Sequence, residues 1–278
     1  MMKFSRVLGF DPASSKASTI FNGEEFVSID PNELPRWVSE PCDTLICWDA
    51  PLTGPAQMDA LRYRGELYTR IIEKYFGGGV LRWNDGRIQR WESKVPKKGI
   101  AVRGYGGLSH WVISRRVLGL PRVGPWDASE SQLPARLLTD AFETAPAPDA
   151  ERPSVVEVHP ALALWLWLRA EPEFAGRDAW NYKTDRVFRQ ACWEGLKRVL
   201  RPQFSRIPML ATGVDAADAR CAVSDDHLDA FIAWALGILW VRQDSANPAV
   251  VLFGDHSTGT MLLPCCDMTD NRNAMAPQ

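Results

Sequence analysis

Ser224-Asp225-Asp226-His227-Leu228-Asp229-Ala230-Phe231-Ile232-Ala233-Trp234-Ala235-Leu236 is the stretch on which the reading of this 278-residue chain turns. Serine is a favoured helix N-cap, so a helix is predicted from Asp225 to Val241. Asp226 and Asp229 are three residues apart and share one face of that helix. Two acids held together on a face otherwise heading for the core repel each other, and a divalent cation would relieve that repulsion. Other acids end or interrupt apolar, strand-like runs: Asp11 after Val7-Leu8-Gly9-Phe10, Asp49 after Leu45-Ile46-Cys47-Trp48, and Glu157 within Val155-Val156-Glu157-Val158. Together they point to a metal-dependent carboxylate site.

Working outward from the helix, the chain opens with Arg6 to Phe10, a turn at Asp11-Pro12-Ala13-Ser14-Ser15, and the runs Ala17 to Phe21 and Glu25 to Ile29. These two runs flank Asn22-Gly23, a strong hairpin signal, so a three-stranded antiparallel meander is expected. A short helix over Pro31 to Glu40 and a buried strand over Thr44 to Trp48 follow. Met58 to Phe76 has helical spacing and stops at Gly77-Gly78-Gly79; Trp111 to Leu118 and Pro134 to Thr144 also read as helices. Ser154 to Val158 reads as a strand, with helices from Pro160 through Leu168 and from Asp185 to Leu200. Val250 to Phe253 and Thr260 to Leu263 flank a turn and form a C-terminal β-hairpin. Strands alternating with helices after a meander predict a mixed α/β layered fold. Residues 1–264 read as a single domain with an elaboration over about 54–152, and 265–278 as a flexible tail.

Composition narrows the function less. A hydrophobic content of 46% supports a substantial core, and a net charge of -2 does not announce a nucleic-acid binder, so any such contact must come from a local basic surface. The start of the chain lacks the apolar region and cleavage site of a signal peptide, and no apolar run is long enough to span a bilayer. The six cysteines show no paired metal spacing and read as reduced thiols. The expectation is a cytoplasmic protein with no membrane partner.

These residues resemble the RNase H-like superfamily. That resemblance implies a mixed five-stranded sheet with flanking helices, with acids on the first strand, the fourth strand and the last helix. Gly9-Phe10-Asp11-Pro12-Ala13 matches the first position, and Cys47-Trp48-Asp49-Ala50-Pro51-Leu52 falls at the fourth strand. Asp226-His227-Leu228-Asp229-Ala230-Phe231-Ile232-Ala233 is similar to the last-helix signature of RuvC-type resolvases. With Glu157-Val158-His159-Pro160, the set looks like the domain-of-unknown-function 429 family of predicted RNase H-like nucleases. RuvC-type enzymes place a glutamate on the fourth strand where this chain has Asp49, which leaves open whether Glu157 completes the site.

The activity implied is phosphodiester hydrolysis with one or two Mg²⁺ or Mn²⁺ ions. Metal ligands would come from Asp11, Asp49, Asp226 and Asp229. The catalytic set would be Asp11, Asp49, Glu157, Asp229 and Lys183, the lysine following from a Tyr-Lys before a helix in the family pattern. Each acid also has a plainer reading. Asp11 can close an Asx turn, Asp49 can cap the next segment, Glu157 can pair with an internal cation, and Asp226 suits a helix's first turn without any metal. His159 reads as orienting the strand end.

Arg82 to Arg103 carries seven basic residues against two acidic ones, with Trp83 and Trp91 interleaved. Cations beside aromatic faces suit unpaired bases, so Arg87, Arg90, Lys94, Lys97, Lys98 and Arg103 are candidate nucleic-acid contacts. Arg177 to Arg206 has eight against three and reads as a solvated helix face. Two rival functions share this core: a non-catalytic nucleic-acid-binding or scaffold protein, and a nucleotide-binding phosphotransferase of the actin-like branch. The latter would need a glycine-rich turn where this chain has Pro12-Ala13-Ser14-Ser15.

Overall fold

Along β1 (Arg6–Asp11) alternate side chains enter two different cores. Val7 belongs to one apolar cluster, while Leu8 and Phe10 belong to the other. β4 (Thr44–Trp48) repeats the pattern, with Leu45 and Cys47 on the first side and Ile46 and Trp48 on the second. A strand whose two faces are both covered must be apolar throughout, and this accounts for the uninterrupted runs in the sequence. The computed structural model describes residues 4–39, 41–53, 70–82, 86–96, 98–102, 108–120, 133–140, 144–269 and 275.

β2 (Ser18–Phe21) and β3 (Phe26–Ile29) complete the expected antiparallel meander with β1. β4 lies parallel to β1 on its other side, and β8 (Ser154–Glu157) lies parallel to β4. The two-residue β7 (Arg136–Leu137) adds a sixth strand to the expected five, giving the order β3-β2-β1-β4-β8-β7. It lies in the segment expected to be the helix Pro134 to Thr144. Leu133, Ala135 and Leu137 are all buried, a period of two rather than of 3.6, and the Leu138 N–H donates to the Val155 carbonyl at 2.8 Å. Residues 141–143 lie outside the described residues.

The first face of the sheet is covered by α4 (Pro160–Leu168), α5 (Arg186–Leu200), α6 (Pro208–Cys221) and α7 (Asp225–Arg242). α7 is buried continuously from Leu228 to Val241. Each large apolar side chain it removes from water contributes about 1.5–3 kcal/mol. No element was expected from the sequence over α6, where Thr212, Gly213 and three aspartate or arginine positions blur the apolar stripe. The hairpin β9 (Val250–Asp255) and β10 (Gly259–Pro264) forms as predicted and touches β8 through a Val158–Leu262 bridge.

The second face is covered by α1 (Leu34–Trp37), much shorter than expected, and by α3 (Leu108–Leu118). Trp48 Nε1 donates to Ser114 Oγ at 2.8 Å and pins α3 to β4. The helix expected over Met58 to Phe76 is described from Ile71 to Gly77 as α2; residues 54–69 lie outside the described residues. α2 is followed by a two-stranded ribbon, β5 (Gly79–Arg82) and β6 (Ile88–Trp91). Residues after Pro264, read as a tail, include a turn around buried Thr269, and the Tyr75 hydroxyl donates to the Met268 carbonyl at 3.0 Å. Among the described residues no helix is long and apolar enough to cross a membrane.

Candidate metal centre

Parity and close packing together bring the acids to one place. Asp11 continues the Val7, Gly9 side of β1, and Asp49 follows the Leu45, Cys47 side of β4, so both turn toward α7. A Cβ on Gly9 would lie 2.1 Å from the Ala230 carbonyl oxygen and 2.4 Å from the Trp234 nitrogen. Only glycine therefore lets β1 approach the α7 backbone this closely. Asp229 precedes Ala230, and the approach delivers its carboxylate to the ends of β1 and β4. One oxygen from each of Asp11, Asp49 and Asp229 lies within 4.8 Å of the others.

Each acid has a different surrounding. Asp229 is 1% exposed; its Oδ1 accepts from the Tyr182 hydroxyl at 2.7 Å, and its Oδ2 lies 2.7 Å from Lys183 Nζ. Asp11 is 9% exposed and, among the described residues, no N–H donor reaches its carboxylate. Burial, then the charges of Asp229 and Asp49, raise it well above the usual carboxylate range. Burial and the Asp229 charge push Asp49 up to about 8, against the partial relief of Lys183. The charge of Asp229 in turn raises Lys183 and keeps it an ammonium. Three acids held together against their own repulsion, with one cation as relief, form an electrostatic well for further positive charge.

The donor set suits a hard divalent cation. An octahedral oxygen shell of about 2.1 Å radius sets opposite oxygens about 4.2 Å apart. Three oxygens within 4.8 Å of one another are within reach of such a shell by small side-chain rotations.

Asp226 stands beside this trio rather than in it. Both its oxygens accept from Lys16 Nζ at 2.6 Å. Burial opposes its ionisation most, but the bond and charge of Lys16, a bond with the Asp11 carboxyl and the charge of Lys183 together hold Asp226 below its ordinary value. Ser224 caps α7 by accepting from the His227 N–H, as predicted.

Glu157 is not part of the trio. It pairs in register with Trp48, not with Cys47, which gives it the opposite parity from Asp49. Arg70 Nη1 and Nη2 grip its two oxygens, the first at 2.7 Å, and the Leu52 N–H donates to it at 2.8 Å. Arg70 also pairs with Glu73, and all three side chains are buried. The plainer reading, an internal ion pair, describes Glu157. His159 caps α4, its Nδ1 accepting from the Leu162 N–H at 3.3 Å, so it orients the chain after β8.

Two cavities flank the trio. One, of about 270 Å³, is lined by Asp11, the Pro12–Lys16 turn, Asp225 and Asp226. The other, of about 210 Å³, is lined by Asp49, Arg70, Glu157, His159 and Gly99 among others. Lys183 lines both.

Sequence reasoning missed two positioning residues. The Tyr182 hydroxyl fixes Asp229, and Arg189 fixes the loop that carries Tyr182 and Lys183. Arg189 Nη1 donates to the Tyr182 and Lys183 carbonyls at 2.8 and 3.1 Å, and Nη2 to the Val223 carbonyl at 2.9 Å. One buried guanidinium thus ties the Lys183 loop to the head of α7. The signal was present as an arginine on the inward stripe of an amphipathic helix.

Of the candidate nucleic-acid contacts, Arg87, Arg90 and Lys98 are exposed on or near the β5–β6 ribbon. Lys94 is a correction: its Nζ donates to the Tyr75 carbonyl at 2.6 Å and sits 3.7 Å from the Tyr75 ring centroid, so the charge is spent inside the fold. Lys97 and Arg103 lie outside the described residues. The ribbon leads into Lys98 and Gly99, and Gly99 borders the second cavity; the Trp180 N–H donates to the Lys98 carbonyl at 2.9 Å.

No curated protein and no solved structure is matched by this chain. A family match covers the span from just before β7 into β9, which holds Glu157, Tyr182, Lys183, Asp226 and Asp229, while Asp11 and Asp49 precede it. Over those residues, 130–252, the chain is similar to the family described as Protein of unknown function (DUF429).

Proposed function

We propose that this protein is a metal-dependent hydrolase of phosphodiester bonds in nucleic acid, built on an RNase H-like core. The observation that carries the reading is the meeting of Asp11, Asp49 and Asp229, from two parallel strand ends and a helix, within 4.8 Å. The antiparallel β3-β2-β1 meander followed by parallel β4 and β8 supports the fold assignment. A Mg²⁺ or Mn²⁺ ion held by the three acids would supply Lewis-acid polarisation of a phosphoryl oxygen and lower the pKa of an attacking water. The chain's own residues do the rest. Lys183, open to both cavities, neutralises a phosphate oxygen as negative charge builds there. Tyr182 holds Asp229 in one orientation, and Arg189 holds the Lys183 loop. The exposed Arg87, Arg90 and Lys98 attract the backbone of a strand entering past Gly99.

The test is cleavage of fluorescent single-stranded, duplex, hybrid and branched oligonucleotides with Mg²⁺ and with Mn²⁺. Cleavage is expected with metal, lost with chelator, and abolished in Asp11→Asn and Asp229→Asn proteins that keep the wild-type circular dichroism spectrum. Inactivity of the metal-loaded protein on every substrate would overturn the proposal.

A further inference from the structure

We propose that Lys183 occupies the place of a second metal ion, so that the centre takes one divalent cation per chain and not two. The inference rests on the metal-dependent reading above and adds its stoichiometry. Four carboxylates gather here, Asp11, Asp49, Asp226 and Asp229, and two ammonium groups answer them: Lys16 on Asp226 and Lys183 on Asp229. With all four deprotonated, as metal ligands are, the surplus is two negative charges, which one divalent ion cancels and two would overshoot.

Ligand supply gives the same answer. Two-metal hydrolytic centres hold their ions roughly 3.5–4 Å apart and need oxygens on both sides of a bridging acid. Around Asp11 the oxygens on one side belong to Asp226, and Lys16 takes both of them. On the Asp49 side the next acid is Glu157, whose two oxygens are taken by Arg70 and the Leu52 N–H. Asp229 gives one oxygen to Tyr182 and the other to Lys183. Among the described residues, the trio's members left without a cation or an N–H donor on their carboxylates are Asp11 and Asp49, which face each other and Asp229. Those two acids and Asp229 converge on one place, with Lys183 as a tethered positive charge beside it and reaching both cavities. A fixed ammonium at that point meets the developing charge of a phosphate without a second ion.

The experiment is Mn²⁺ titration of the full chain by calorimetry, with electron paramagnetic resonance on the loaded protein. Wild type is expected to bind one Mn²⁺ and to give a six-line spectrum without exchange coupling. Lys183→Met and Lys183→Gln, which remove a half-exposed charge, are expected to bind the first ion at least about tenfold more tightly, since a like charge has left its vicinity. Two ions with an exchange-coupled spectrum in wild type would overturn the stoichiometry and leave the metal-dependent reading standing. Unchanged or weaker binding in both lysine variants would also overturn the placement of Lys183. No binding to wild type at all would overturn the metal reading itself, and this inference with it.

Discussion

Asp49→Asn is expected to stabilise the metal-free protein, and to do so only as the pH rises. Asp49 is pushed up to about 8 by burial and by Asp229, against an ordinary value of 3.8 that the unfolded chain retains. Near pH 4 and below, the folded protein keeps this proton and the unfolded chain binds it as well, so the group costs little. Between 3.8 and 8 the unfolded chain gives up the proton and the folded protein still holds it, so stability falls steadily across that window. Holding a proton about four decades more tightly corresponds, at about 1.36 kcal/mol per decade, to a ceiling of roughly 6 kcal/mol. The carboxyl opens onto a cavity, and water there reduces the effect, so about 2–4 kcal/mol is expected at pH 8. Asparagine carries no charge at either pH and escapes this penalty. The assay is urea unfolding of chelator-treated wild type and variant at pH 4 and pH 8. The variant should match wild type at pH 4 and exceed it at pH 8. Excess Mn²⁺, at about one hundred times its dissociation constant, should restore about 2.7 kcal/mol to wild type and much less to the variant. A variant less stable than wild type at pH 8, or an equal difference at both pH values, would refute the electrostatic account of the site.

Gly9→Ala should cost about 3 kcal/mol or more in urea unfolding, because its Cβ would strike backbone atoms of α7 that cannot swing aside; calorimetry on the surviving fold should also show weakened Mn²⁺ binding as Asp229 is pushed from Asp11. Arg70→Met should lose about 3–5 kcal/mol by leaving Glu157 and Glu73 buried without their cation, whereas Glu157→Gln should bind Mn²⁺ as wild type does.

The strands and the last helix were legible because each is governed by a short-range pattern. Asn22-Gly23 announced the meander, Ser224 announced the start of α7, and the two-sided burial of β4 appeared as an unbroken apolar run. Asp11, Asp49 and Asp229 were legible for a related reason: an acid at the end of such a run has left the core without leaving its neighbourhood. Glu157 misled because strand membership was read without parity; counting back from Val158 through Val156 would have placed it on the other face. Arg70 was invisible, since its partner Glu157 lies 87 residues away in the chain and nothing local marks an arginine as buried. Lys94 was misjudged by its company of other cations, although a folded-back lysine over Tyr75 has no signature in sequence. α6 was missed because its buried stripe, Leu210, Gly213, Val214, Ala217 and Cys221, is made largely of small residues and gives a weak apolar signal.

The clasp between Arg70 and Glu157 has a consequence for how this protein could diversify. Undoing it would strand buried charge, so the N-terminus of α2 is fixed to the sheet. The β5–β6 ribbon beyond it is held by Leu81 and Trp91 against the core and by Lys74 Nζ on the Val80 carbonyl, while Arg87 and Arg90 are exposed. Charge is therefore the adjustable feature of the ribbon: changing it at the exposed positions should retune what approaches the acids without disturbing the acids themselves.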